Sequence, residues 1–177
     1  MSKIREIALE VLPHFAKNVL SGQIFPYGVY AHAIGRDPSK QSMVIGHAMH
    51  AIGAACVMKQ IPVVPLHYVG RADGAWRGIF EEDALEAATV RPHYETLYVA
   101  AKIYKYTERD FRRIEIILRD ILPKHLPAES LSPHPLWHVV INGKTKDNST
   151  FFFRALTAYQ KMIDEQRHAK YLPRTSA

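Results

Sequence analysis

A single cysteine, Cys56, stands among 177 residues. One thiol makes no internal disulfide and no paired-cysteine metal site, and such sparing use suits a reducing compartment. No apolar run approaches the roughly 18 residues that a membrane span requires. The opening residues, MSKIREIALEVLPHFAK, carry charges inside their apolar pattern, which argues against a secretory signal. These absences predict a soluble cytoplasmic protein with no membrane partner. Also missing are the patterns GxSxG, GxxxxGKS/T, HExxH and GxGxxG, and with them the usual signatures of hydrolase, phosphate-loop, zinc-protease and dinucleotide chemistry. There is no convincing internal repeat and no low-complexity segment.

What is present is an ordinary globular composition, 47% hydrophobic, with a basic balance. Lys and Arg number 23 against 17 Asp and Glu, a net of +6, and the sequence pI is about 9.4. That balance favours a polyanionic partner such as nucleic acid.

Local patterns divide the chain into elements. Ile4, Ile7, Ala8, Val11, Leu12, Phe15 and Val19 recur at helical spacing, with Pro13 predicting a break or kink. Tyr27 to Ile34 reads as a short helix ended by Gly35. Asp37 and Pro38 then supply a cap and a first position for a long helix, which Ile61-Pro62 stops. Within it Val44, Ala48, Ile52 and Cys56 lie four apart as a buried stripe. Val63–Val69 and Ala75–Phe80 read as two strands turning at Asp73-Gly74. Leu97–Tyr106 reads as a strand from its Tyr, Val and Ile content. Thr107 and Asp110 open an amphipathic helix over Glu108–Leu122, and a last helix covers about Ser149–Arg167.

The order helix, tight turn, long helix, strand, turn, strand over Pro26–Phe80 is that of a winged helix-turn-helix. Here the sequence resembles the C-terminal DNA-binding domain of the O6-alkylguanine-DNA alkyltransferases, and is nearest to their inert relatives, the alkyltransferase-like proteins. The family's motif tyrosine matches Tyr27 in PYGVYAHAIG. Its second-helix pattern matches Met43-Val44-Ile45-Gly46-His47-Ala48-Met49, and its active-site PCHRV matches Pro65-Leu66-His67-Tyr68-Val69. About a third of the chain is covered. The departures are as informative: Leu66 stands where the alkyl-accepting cysteine belongs, Met43 where the base-displacing arginine belongs, and Tyr68 replaces the arginine of the active-site motif. A hydrocarbon side chain forms no thiolate, so the resemblance implies binding without alkyl transfer. A weaker echo, Trp137-His138 in LWHVVING, lacks a preceding helix-turn-helix pattern.

The expected fold is therefore α+β: a winged helix-turn-helix core over 1–83, with a helix-rich C-terminal extension over 84–177. The resemblance makes Tyr27, Lys40, Gln41, Met43, His47 and Arg71 the candidate DNA-binding set, and Leu66, His67, Tyr68 and Trp76 a ligand pocket. No catalytic residue, cofactor or metal is expected; His47, His50 and His67 lack an accompanying carboxylate or thiolate. Lys102, Lys105, Arg109, Arg112, Arg113 and Arg119 alternate with acids and read as an ordinary charged face. The expected function is non-enzymatic binding of double-stranded DNA, with sensing of damaged or modified bases. The alternatives are a protein-assembly domain that has lost DNA binding, or an enzyme with its chemistry in the C-terminal half.

Overall fold

A computed structural model describes residues 3–65, 69–70, 96–121 and 146–171. They form α1 (Lys3–Leu20), β1 (Phe25–Pro26), α2 (Tyr27–Ala33), α3 (Pro38–Lys59) and β2 (Val69–Gly70), followed by α4 (96–103), α5 (Glu108–Ile116) and α6 (Lys146–Tyr171). A five-residue π-helical turn, Ile117–Ile121, continues α5.

α3 is the centre. α1 and α2 pack on it, as do α5 and α6. Every residue from Ala51 to Val57 is buried. A helix that is apolar on all sides over such a stretch is a core helix, which is more than the four-apart stripe predicts. Val44, at the top of that stripe, is only half-buried. The two ends of α3 follow the local signals. Asp37 caps the start, its Oδ1 accepting from the Ser39 N–H at 3.0 Å. Gln60 closes the end in the left-handed conformation (φ 57°, ψ 26°), its N–H donating back to the carbonyls of Cys56 and Val57.

α1 turns Ile7, Ala8, Val11, Leu12, Phe15 and Val19 into the core. Pro13 sits inside this helix on its exposed side, and the helix continues through it. Without an N–H, Pro13 leaves the Leu9 carbonyl without its helical donor. Aromatic edges bind the layers: Phe15 meets Tyr30 at 5.5 Å and Phe111 at 6.3 Å between centroids, both T-shaped.

The α+β winged-helix expectation is corrected. The described residues are mostly helical, and their strand pairing is a two-residue parallel match, Phe25 with Val69 and Pro26 with Gly70. A wing would be an antiparallel hairpin. Val63 and Val64 are fully buried without a ladder, because their neighbours' carbonyls are satisfied by side chains: Tyr106 donates to Pro62 at 2.7 Å and Tyr159 to Ile61. The turn expected at Asp73-Gly74 lies outside the described residues. Leu97–Tyr106, expected as a strand, is helical over its first seven residues. Leu97, Ala100 and Ala101 are all buried, and that spacing of three and four fits a helix, so packing overrides β propensity. Residues on both sides of 83/84 contribute to one core cluster.

Candidate nucleic-acid interface

The connection between α2 and α3 is tight for a definable reason. Gly35 takes φ +73°, a conformation with little cost for glycine. Its N–H donates to His32 at 3.0 Å, while Arg36 N–H donates to Ala31 at 2.9 Å. This pair of bonds is a Schellman motif, which satisfies the carbonyls at the end of α2 and reverses the chain. Asp37 and Pro38 then start α3 at once. The two helices begin close together: a Cβ added to Gly28 would lie 3.4 Å from Pro38 Cβ, in van der Waals contact. α1, α2 and α3 pack against one another.

Burial changes along α3. Ser39 and Lys40 are exposed, and Val44, Gly46 and His47 are half-buried. Among the described side chains α3 is open at Pro38–Lys40, while Ile45, Ala48 and Met49 further along are buried. Lys40, Met43 and His47 stand at i, i+3 and i+7, one face of a helix. Tyr27, half-buried at the start of α2, lies beside this stretch; its Cε1 would be 4.0 Å from a Cβ at Gly46. Burial lowers the His47 pKa, favouring the neutral ring. The Asp37 carboxylate also belongs to this end and accepts from the Ser39 hydroxyl at 2.7 Å as well as from its N–H. The N-terminus of α3 thus carries its own anion.

Of the predicted site residues, Tyr27 lies beside Gly46, and Lys40 and His47 stand in the N-terminal half of α3. Gln41 and Met43 take their places on α3, though their side chains lie outside the described residues. Leu66, His67, Tyr68, Arg71 and Trp76 also lie outside the described residues. Cys56 is fully buried, and desolvation pushes its thiol up to about 12. Among the described residues no group of three or more His, Cys, Asp or Glu is placed to hold a metal ion, and no helix is long and apolar enough to cross a membrane.

Sequence reasoning missed the polar anchors Tyr106 and Tyr159. Their partners lie 44 and 98 residues away, and nothing local signals them. It did find the Thr107–Asp110 arrangement, which forms a full capping box. Asp110 is more than a cap: buried at 4% exposure, it also accepts from the Tyr104 hydroxyl at 3.1 Å. Burial, then the Asp110 charge, push the Tyr104 hydroxyl up to about 12.

The chain matches no protein-family model, no curated protein and no solved structure.

Proposed function

We propose that this chain binds double-stranded DNA without enzymatic action, through the first turns of α3, as the resemblance to alkyltransferase-like proteins implies. The observation that carries the reading is the burial gradient along α3. Ala51 to Val57 are buried core, whereas Ser39 and Lys40 are exposed beside a tight turn and His47 is half-buried. A helix-turn-helix protein uses that end of its second helix to meet base edges. Lys40 and Arg71 are assigned to phosphates, Gln41 and His47 to the groove, and Tyr27 to its side. Met43 takes the place of a base-displacing arginine as an apolar wedge, which works best where a pair is damaged and cheap to open.

Alkyl transfer is excluded from the reading on chemical grounds. Leu66 stands at the acceptor position, and Cys56 is enclosed with its thiol held protonated.

A titration against plain and O6-methylguanine duplexes at two salt concentrations tests the proposal. Affinity is expected to fall with salt, with a slope near −0.9 per phosphate neutralised. Lys40→Ala and Arg71→Ala are each expected to reduce the slope by about one and to weaken all duplexes alike. Met43→Ala is expected to weaken the modified duplex more than the plain one. Folded protein that binds no duplex at low salt would end this reading.

A protein-assembly role is the second reading. It is supported by the exposed apolar residues Leu20, Ile24 and Val29 around the end of α1 and the start of α2. Retained self-association or partner binding together with absent DNA binding would favour it.

A further inference from the structure

Residues 102 to 113 carry five basic side chains, Lys102, Lys105, Arg109, Arg112 and Arg113, against two acidic ones, Glu108 and Asp110. Both acids are already engaged. Asp110 is buried, and its carboxylate accepts from the Thr107 N–H at 2.9 Å and from the hydroxyls of Thr107 and Tyr104. Glu108 lies 3.8 Å from Arg112. One turn further on, Glu115 holds Arg119 at 2.8 Å. Lys102, Lys105 and Arg109 are exposed, and among the described residues none of the three has an acidic partner.

The three cations stand on a fixed surface. Lys102 is on α4, Lys105 in the connector, and Arg109 in the first turn of α5. The connector is held by the capping box, by the Tyr104–Asp110 bonds, by the T-shaped contact of Tyr104 and Tyr106 at 4.9 Å, and by the Tyr106–Pro62 bond. Charges carried on a braced turn lose little freedom when a ligand arrives.

Their location separates them from the first site. Pro62 follows the C-terminal end of α3, whereas Lys40 stands near its start. At 1.5 Å per residue the two ends lie roughly 30 Å apart. From Ala51 to Val57 α3 is enclosed by other elements, so DNA at its first turns does not follow α3 itself to the other end.

We propose that Lys102, Lys105 and Arg109 form a second phosphate-binding surface, which takes the backbone of a second duplex while the first turns of α3 hold another. The spacing fits a polymer. Chain geometry limits Lys102 and Lys105 to about 10 Å apart, and Lys105 and Arg109 to about 14 Å, between Cα atoms. A single strand offers a phosphate every 3.4 Å of duplex axis, so each cation has a phosphate within range. The choice of DNA as the polyanion rests on the proposed function.

The test mixes the full chain with two duplexes carrying donor and acceptor dyes at low salt. Wild-type protein is expected to produce energy transfer between them. A K102Q/K105Q/R109Q variant is expected to keep single-duplex affinity within about twofold and to lose the transfer. These side chains are exposed and form no ion pair among the described residues, so the variant should retain wild-type circular dichroism. Lys40→Ala is expected to weaken the other step, which separates the two readings. Transfer by the triple variant equal to wild type would overturn the proposal. Loss of all duplex binding in the triple variant, with Lys40→Ala unaffected, would overturn it too, leaving one duplex site at the connector. Vesicles of phosphatidylserine bound through the same three residues, with no second duplex, would assign the surface to membranes and overturn it as well.

Discussion

The Tyr106 hydroxyl donates to the Pro62 carbonyl across 2.7 Å, fastening the connector before α5 to the chain just beyond α3. Tyr159 on α6 does the same for the neighbouring Ile61 carbonyl. Two consecutive carbonyls, released from any helix by Pro62 and Gln60, are thus satisfied by hydroxyls 44 and 98 residues further along the chain. Burial pushes the Tyr159 hydroxyl well above its usual pKa, so it stays a donor throughout the working range.

Tyr159→Phe and Tyr106→Phe each leave a buried acceptor unpaired, and each is expected to cost about 1–3 kcal/mol. Urea unfolding measures this. A loss under about 0.5 kcal/mol in both would show that neither hydroxyl bond matters to the fold.

Cys56 should be unreactive in the native protein. Its raised thiol pKa favours the protonated form in the fold, so the associated stability is complete below the unfolded value. It is lost as pH climbs from 9.0 towards about 12. Labelling with a thiol reagent at pH 8 is expected to proceed at the rate of opening and to become immediate in denaturant. Rapid labelling of folded protein would contradict the enclosed position.

His47 acts with the opposite pH sense. Its native pKa is depressed from 6.5, so the unfolded chain binds the proton more readily. Stability is complete above 6.5 and is lost as pH falls through the lower native value. His47→Gln is expected to flatten that acid limb, read as the urea midpoint from pH 7.5 to pH 5. An unchanged limb would remove His47 as its cause.

Asp37 separates folding from binding. Asp37→Ala removes an N-cap and is expected to cost about 0.5–2 kcal/mol of stability. It also removes an anion from the proposed DNA end, so low-salt affinity is expected to rise. Asp37→Ser retains a cap and should show the binding gain with less loss of stability. Weaker binding in both variants would argue against DNA at this end of α3.

Legibility in the sequence followed the range of the signal. Both ends of α3 were readable because Asp37, Pro38 and Ile61-Pro62 act on their immediate neighbours, and Thr107 with Asp110 likewise announced α5. The stretch around Val63 and Leu97 was misread. Its β-favouring residues serve a buried irregular segment and a helix, and the choice is made by distant partners such as Tyr106 and Tyr159. At the candidate site, helical spacing placed Lys40 and His47 together. That Lys102, Lys105 and Arg109 have no acidic partner among the described residues was hidden, because it depends on Asp110 turning inward and on Glu108 facing Arg112. Alternating letters do not show which acid meets which base.

Gln60 has one more consequence, for heat tolerance. An L-residue with a Cβ held at φ 57° carries about 1–2 kcal/mol of local strain. Asparagine accepts this conformation more readily, and glycine does so without the Cβ clash. Since α3 ends here whatever the side chain, Gln60→Asn or Gln60→Gly would relieve the strain while leaving the bonds to Cys56 and Val57 in place. In a chain of this size each kcal/mol recovered raises the melting temperature by about 2–4 °C. A single surface-neutral exchange at the end of the central helix is therefore the most direct route to a hardier form of this protein.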